Sequence, residues 1–371
     1  MIQDLKYKIA LSLIPKVGHV IAKKLVSYIG SYEGVFKESK KNLLSIPGIG
    51  EILAQSIIKS DALSKAEDEL EFIVKHKIST SFYLDKEYPE RLKYCDDAPI
   101  LVYSKGDANF NNRKVLSVVG TRKATHQGIA FCEKLIQELA ERNHNPIIVS
   151  GLAYGIDAVA HRSALKNNLQ TIAVLGHGLD IIYPASHKSL AKDIIKNGSL
   201  ITDFPSKSIR DKNNFIKRNR IIAGLSDATI VIESGKTGGS LITADIANSY
   251  NRDVFALPGR ITDQYSVGCN NLIKTNKAAM LTSVQDIEYL LGWDVAEKKE
   301  CSVQRNLFVD LTDEERVMVD ILSKNDNVSI DGLCVKCNMP TSKVSPILLA
   351  LEFKGIVRPL PGKIYRLISL I

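Results

Sequence analysis

Residues 115–178 decide the fold, with the sequence VLSVVGTRKATHQGIAFCEKLIQELAERNHNPIIVSGLAYGIDAVAHRSALKNNLQTIAVLGHG. Short apolar runs alternate here with longer stretches that have the apolar spacing of amphipathic helices, and the alternation continues toward residue 292. The pattern predicts parallel strands joined by crossover helices, hence an α/β domain. The predicted strands are 115–119, 147–149, 171–175, 200–202, 228–232 and 254–257, and the clearest predicted helices are 128–142 and 158–167.

Glycine and small residues follow the ends of several predicted strands. Examples are the segments 120–122, 150–152, 176–178 and 235–240. Because the carboxyl ends of parallel strands meet at one edge of the sheet, these loops are expected to line a common crevice. Helix N-termini and exposed amides at such an edge favour an anionic ligand.

Neither common nucleotide-binding motif fits these loops. Gly235-Lys236-Thr237 is similar to the end of a phosphate-binding P-loop, but that motif needs an earlier glycine where this chain has Ile230. A dinucleotide fingerprint fails as well, because Arg122 stands where a second glycine would admit a pyrophosphate. Arg122 instead offers its guanidinium to a phosphate oxygen.

A basic segment, KNNFIKRNRII at 212–222, is the densest group of candidate ligand contacts. Its cations can neutralise phosphates, and Phe215 can stack on an unpaired base, a combination that suits a single strand better than a duplex. The alternative is a solvated helix face without a ligand, which is the commoner reason for a cationic run.

The first 60 residues contain an internal repeat. IPKVG at 14–18 and IPGIG at 46–50 each precede an amphipathic stretch, at an offset of 32 residues. A Pro/Gly turn before a helix leaves backbone N–H groups free to bind a phosphate oxygen. The repeat resembles a tandem helix-hairpin-helix module, with Gly18, Gly48 and Gly50 as secondary contacts to a nucleic-acid backbone. The alternative is a helical hairpin that only packs on its neighbour.

Charge is unevenly distributed along the 371 residues. The net charge is +8, with +5 in residues 1–60, −4 in 61–110, +7 in 111–292 and none in 293–371. The two basic regions are candidate nucleic-acid surfaces. The shifts in composition predict a head at 1–65, a connector at 66–110, a body at 111–292, a linker at 293–310 and a tail at 311–371.

The tail has the pattern of a winged helix. Thr312 and three acidic residues predict a helix start, two further short helices follow, and 354–367 predicts a two-stranded wing. The third helix contains a single cation, Lys343, so a protein contact or an accessory DNA role is favoured over sequence-specific readout. No apolar run is long enough to span a bilayer and no signal pattern begins the chain, so a cytoplasmic protein is expected.

Several segments of the body closely resemble the DNA-processing protein A family (DprA/Smf). They are SGLAYGIDAVAHRSAL (150–165), TIAVLGHGLDIIYP (171–184), FIKRNRIIAGLS (215–226), ESGKTGGSLITA (233–244), PGR (258–260) and SVGCNNLI (266–273). The resemblance implies an extended Rossmann-like domain that binds single-stranded DNA, dimerises and helps to load the RecA recombinase on incoming strands in natural transformation. It implies neither enzymatic turnover nor a cofactor or metal.

The resemblance also indicates the DNA contacts, which lie in three segments of the body. They are Gly120, Thr121 and Arg122 after the first strand, Lys212, Phe215, Lys217, Arg218, Asn219 and Arg220 in the basic segment, and Gly238, Gly239 and Ser240. The competing hypothesis is a nucleotide N-glycoside hydrolase of a related Rossmann-like group, which would use Glu233 and Arg122. Glu233 has a second interpretation, as a partner that orients Arg122 or Arg220 through a salt bridge.

Overall fold

The structure is a computed structural model that describes residues 2–209, 211–293, 311–325, 327–360 and 362–368. The chain forms two compact units, one within residues 1–294 and the other within 295–371. Among the described residues, none of the helices combines the length and the apolar character that crossing a membrane requires.

Six helices form the head. They are α1 (Ile2–Leu13), α2 (His19–Ile29), α3 (Gly34–Lys37), α4 (Lys40–Ser45), α5 (Glu51–Ile58) and α6 (Ala62–His76). Their apolar faces share one core, and buried residues of the following strands, among them Phe82 and Leu101, belong to that core. The head therefore packs on the body within the first unit.

The body is built on a nine-stranded sheet. Its strands are β1 (Ser79–Phe82), β2 (Leu101–Gly106), β3 (Val115–Val119), β4 (Ile147–Ser150), β5 (Thr171–Val174), β6 (Gly198–Thr202), β7 (Ala228–Val231), β8 (Asp253–Ala256) and β9 (Ala279–Met280). Their order is β1-β2-β6-β5-β4-β3-β7-β8-β9. The pairs β1–β2 and β2–β6 are antiparallel and the other pairs are parallel. The predicted α/β class with a parallel core is confirmed.

Helices cover both faces of this sheet. They are α7 (Glu90–Lys93), α8 (His126–Glu141), α9 (Ile156–Lys166), α10 (Lys188–Lys196), α11 (Lys212–Leu225), α12 (Gly239–Ser249), α13 (Val267–Lys274) and α14 (Val284–Leu291), with a short 3-10 helix at Ala185–His187. Side chains of β3 alternate between the faces: Val115 and Val119 pack in the core with α11 and α12, and Leu116 and Val118 in the core with α8 and α9. Burial on both faces explains why the strands are continuous apolar runs.

Residues 66–110, which the sequence predicts to be a connector, contribute structure to both head and body. Most of α6 lies in this stretch, and so do strands β1 and β2. Strand β2 pairs with β6, about 100 residues later in the chain, at positions such as Tyr103 opposite Thr202. The acidic composition of the stretch therefore does not mark a gap between compact bodies.

The described residues of the second unit form three helices and a small sheet. They are α15 (Asp313–Ser323), β10 (Val328–Ser329), α16 (Ile330–Cys337), α17 (Thr341–Phe353), β11 (Val357–Leu360) and β12 (Ile364–Leu367). The sheet is antiparallel with the order β10-β12-β11, so the predicted two-stranded wing gains a third strand. Thr312 caps α15 in a capping box with Glu315, as the sequence predicts for this helix start.

Candidate nucleic-acid interface

The candidate site is a crevice of about 590 Å³ at the carboxyl ends of the parallel strands. Strands β4, β5 and β6 extend the sheet on one side of β3, and β7, β8 and β9 extend it on the other. Open parallel sheets bind ligands at such a switch point. The crevice lining includes ten of the twelve predicted DNA contacts in the body: Gly120, Thr121, Arg122, Lys212, Phe215, Arg218, Asn219, Gly238, Gly239 and Ser240.

The loop after β3 is held tightly and presents Arg122. The Thr121 amide donates to the Glu233 carbonyl at 2.8 Å, and the Thr121 carbonyl accepts from the Ile156 amide at 3.2 Å. A Cβ atom on Gly120 would lie 2.6 Å from Cγ1 of Ile156, so only glycine permits this approach of α9. The Arg122 side chain is exposed and makes no hydrogen bond or ion pair within the described part of the chain. It is therefore available to a phosphate.

Helix α11 places Lys212, Phe215 and Asn219 along the crevice, because intervals of three and four residues share one helix face. Lys212 is exposed, and Phe215 is half-buried. The Asn219 side-chain amide donates to the Gly239 carbonyl at 3.2 Å, which ties α11 to the start of α12. A Cβ atom on Gly176, just after β5, would lie 3.0 Å from Cδ1 of Phe215, so a glycine there allows the ring to approach the strand end.

Arg218 lies at the bottom of the crevice and fixes its loops. Its Nη1 donates to the Gly151 carbonyl at 2.6 Å and to the Val174 carbonyl. Burial lowers the pKa of Arg218 to about 10, so the guanidinium stays charged at neutral pH, and the nearby Asp157 carboxylate partly offsets that effect. Asp157 in turn accepts from the amides of Gly151 and Ala153 at 3.1 and 3.3 Å. Arg218 therefore ties the ends of β4 and β5 together at the crevice.

The other two predicted contacts, Lys217 and Arg220, do not line the crevice. Arg220 is buried and donates to the Asp203 carboxylate and the Asp97 carbonyl. Asp203 also lies 3.4 Å from Nε2 of His19, at the start of α2. Burial alone would raise the pKa of Asp203, but Arg220 and His19 outweigh it and lower that pKa. Lys217 is exposed outside the crevice lining. Helix periodicity therefore places neither cation in the crevice, and their contact with DNA stays a prediction.

The loop after β7 ends at the first turn of α12. Gly238 is the N-cap of α12 and supplies no side-chain hydrogen bond, and Gly239 begins the helix. The Ser240 hydroxyl donates to the Ser234 hydroxyl at 2.9 Å. Backbone N–H groups of the first turn therefore lie at the crevice without a side-chain cap, where the helix dipole favours negative charge.

Glu233 lies in a second crevice of about 490 Å³, lined also by Thr125 and the loop after β8. Its carboxylate accepts from the Thr125 amide at 2.9 Å and from the Thr125 hydroxyl at 2.5 Å. Neither Arg122 nor Arg220 pairs with it, so the structure gives no salt bridge of the kind considered above. Of the two residues of the hydrolase hypothesis, Glu233 lines this second crevice and Arg122 lines the first. The described residues also contain no group of three or more His, Cys, Asp or Glu side chains suited to a metal ion.

The two repeats of the head have the same backbone conformation. Lys16 has a φ of 64° and Gly48 a φ of 86°, so lysine adopts the left-handed conformation of its glycine counterpart. Gly18 and Gly50 are exposed, extended N-caps of α2 and α5 without side-chain cap hydrogen bonds. The geometry is compatible with the predicted backbone contacts, which stay a prediction.

Tyr183 is one of several crevice residues that are absent from the DNA contacts predicted above. Its ring centroid lies 5.7 Å from that of Phe215, with the ring planes at 49°. Tyr183 also lines the crevice and is 42% exposed. The sequence signal for Tyr183 is an aromatic residue at the end of a glycine-rich loop. The sequence alone does not show that this loop contacts α11.

Three family models match the chain. Residues 79–292 match DNA recombination-mediator protein A, residues 9–60 match a SAM-like helix-hairpin-helix tandem, and residues 309–363 match the DprA winged helix domain. The Protein Smf of Synechocystis sp. is 32% identical over 97% of this chain and 98% of its own length. The DNA processing protein DprA of Streptococcus pneumoniae is 44% identical over 55% of this chain and 71% of its own.

Two solved structures agree with these matches. The X-ray structure of DNA processing protein A from Streptococcus pneumoniae has a TM-score of 0.66 at 34% identity, covering 76% of this chain and 97% of that one. DNA processing protein A from Helicobacter pylori, described with a unique single-stranded DNA binding mode, has a TM-score of 0.53 at 28% identity, covering 59% and 97%. The predicted resemblance is confirmed, and this chain belongs to the DNA processing protein A (DprA/Smf) family of recombination mediators.

Proposed function

We propose that this protein binds single-stranded DNA in the crevice between β3 and β7. The observation that carries the proposal is the convergence of three kinds of group there. Arg122 and Lys212 are exposed cations without partners among the described residues, Phe215 supplies an aromatic ring, and α12 begins with uncapped amides. Cations that follow a backbone beside a ring that stacks on bases are the usual elements of a single-strand site.

The same geometry favours a single strand over a duplex. Phe215 lies within a crevice, so only a base turned out of its stack can reach the ring. Sequence readout in a duplex normally uses a helix or ribbon in the major groove. Helix α11 cannot serve in this way, because Arg218 and Arg220 on it are bonded within the protein.

We further propose that the protein acts as a homodimer that protects incoming single strands and helps to load RecA on them during natural transformation. Membership of the recombination-mediator family supports this role. The single-stranded DNA binding mode described for the Helicobacter pylori relative supports the choice of ligand.

The binding proposal is tested by fluorescence anisotropy with a labelled oligothymidylate of 30 nucleotides and a duplex of 30 base pairs over a range of KCl concentrations. We expect clear preference for the single strand. Arg122→Ala and Lys212→Ala should each reduce the slope of log K against log salt by about 0.7. Phe215→Ala should cost roughly 1–3 kcal/mol and leave that slope unchanged, because stacking releases no counterions.

Lys217→Ala is the matched control, since it removes an exposed cation of the same helix outside the crevice. Equal affinity for duplex and single strand, or Arg122→Ala and Lys217→Ala variants that bind alike, would contradict the site. RecA assembly on oligonucleotides coated with single-strand binding protein tests the mediator role. We expect stimulation by the wild type and much less by Arg122→Ala. Light scattering of the full chain tests the dimer.

A further inference from the structure

An exposed tyrosine next to the crevice continues the aromatic wall that Phe215 begins. Tyr183 is 42% exposed, lines the crevice and lies 5.7 Å from the Phe215 ring. Parallel stacking of a base between two rings needs a gap of about 7 Å, twice the contact distance of about 3.5 Å. A separation of 5.7 Å with planes at 49° gives no such gap. Each ring is therefore open to a base on its outer side only.

A second tyrosine stands beside the same segment. Tyr154 follows Ala153, which lines the crevice, and the residue is 48% exposed. The Ser186 hydroxyl donates to the Tyr154 hydroxyl at 3.2 Å, and the ring meets His187 edge to face at 5.1 Å. Segment 183–187 thus holds Tyr154 at one end and provides Tyr183 at the other.

Both tyrosines differ from those that stabilise the core. Tyr88 is fully buried, and its hydroxyl donates to the Pro99 carbonyl. Tyr183 and Tyr154 leave nearly half of their surface in water, although ring contacts with Phe215 and His187 restrict their orientations. A ring that is already fixed loses little conformational freedom when it stacks on a ligand. Lys188, exposed and next to His187, adds a cation near this surface.

We propose that a single strand bound in the crevice continues over Tyr183 and Tyr154, the tyrosine rim, and stacks one base on each ring. The inference rests on the proposed function and extends its site beyond the crevice. Phe215 holds a base inside, Tyr183 holds the next base at the wall of the crevice, and Tyr154 holds a further base outside it. The site therefore recognises a run of unpaired bases, which favours long single strands over short ends.

The test compares anisotropy-measured affinities of the full-length protein for the oligothymidylates dT4 and dT15. Tyr183→Ala and Tyr154→Ala are expected to weaken dT15 binding about 5-fold or more, from the lower end of the range for base stacking. Tyr154→Ala should change dT4 binding by less than about 2-fold, because the short strand fills the crevice first. Tyr183→Phe and Tyr154→Phe keep the ring and should bind dT15 nearly as the wild type does.

Tyr94→Ala is the matched control, because Tyr94 is 45% exposed and directly follows α7. Arg91 of α7 pairs with Asp227, directly before β7. Helix α7 therefore lies at the amino ends of the parallel strands, opposite the crevice. Tyr94→Ala should leave dT15 binding unchanged.

A measurement on the unmodified protein guards against variants that fold poorly. Abasic nucleotides are placed singly along dT15, and at least two positions beyond the one that stacks on Phe215 should lower the affinity. Wild type that binds no single strand would refute the proposed function itself. A different outcome would refute the rim alone. In that case the wild type binds dT15 and Phe215→Ala weakens binding strongly, but an abasic nucleotide lowers the affinity at one position only and the rim variants bind dT15 within 2-fold of the wild type.

Discussion

Replacing Arg220 by alanine separates the two roles that a cation on α11 can have. The sequence places Arg220 among the DNA contacts, whereas the structure buries it against Asp203 and the Asp97 carbonyl. The side chains of Arg220 and Asp203 are 10% and 4% exposed. Arg220→Ala leaves a buried carboxylate without its main partner. The primary effect is then on stability.

The expected magnitude follows from that burial. Removing one partner of a buried ion pair costs about 3–5 kcal/mol, because the remaining charge stays desolvated. His19 lies 3.4 Å from the same carboxylate and compensates part of the loss, so we expect about 3 kcal/mol. For a unit of this size, the melting temperature should fall on the order of 10 °C. Arg122→Ala should change stability by less than about 0.5 kcal/mol, since Arg122 is exposed.

The chain's single tryptophan provides the assay. Trp293 packs beside His144 in the first unit, with ring centroids 5.7 Å apart, so its fluorescence in urea reports the unfolding of the unit that contains the crevice. Single-strand affinity is measured in parallel at a temperature where both variants are folded. The reasoning is refuted if the free energy of unfolding of Arg220→Ala stays within about 1 kcal/mol of the wild type while its single-strand affinity falls as much as that of Arg122→Ala.

Two further predictions use the same unfolding assay. Gly155→Ala should destabilise the first unit by about 2 kcal/mol or more, because Gly155 has a φ of 74° and an added Cβ would lie 2.2 Å from the Thr121 carbonyl oxygen. Gly50→Ala, with open space around the new methyl group, should cost less than about 1 kcal/mol. Glu288 accepts a hydrogen bond from Arg142, which lowers the pKa of the Glu288 carboxyl. The contribution of this carboxylate to the free energy of unfolding is therefore present above its ordinary pKa and is lost as the pH falls toward 3. Glu288→Gln should cost about 1–3 kcal/mol at pH 7 and make stability between pH 5 and pH 3 less dependent on pH, whereas an unchanged acid slope would contradict the assignment.

The parallel core could be predicted because each strand is buried on both faces and is therefore a continuous apolar run. Strand β3 occupies the predicted 115–119, and the other five predicted strands agree within two residues at each end. Strands β1 and β2 could not be found in this way. Strand β2 ends with Tyr103, Ser104, Lys105 and Gly106, which lack a strong apolar pattern. Its pairing with β6 depends on a contact between distant residues, which local composition does not contain.

The candidate site was predictable at the level of loops but not of every side chain. The residues after β3 and β7 had to meet once the sheet was parallel, and they line one crevice. Which cations of α11 face that crevice depends on what covers the other sides of the helix. Asp203 follows β6, and the Asp97 carbonyl lies in the turn before β2, so the partners of Arg220 come from two segments that only the complete fold brings together.

Adjacent residues on α11 therefore bond to different parts of the fold on different sides of the helix. Asn219 bonds to Gly239 at the crevice, whereas Arg220, the next residue, bonds to Asp203, which also contacts His19 of the head. A rotation of α11 that improved one of these contacts would break the other, because the side chains leave the helix about 100° apart. The orientation of the side of α11 that faces the crevice is thus fixed by buried charges on another side of the helix. The net charge of the basic segment 212–222 counts its exposed and its buried cations together. Only the exposed cations are available to a phosphate.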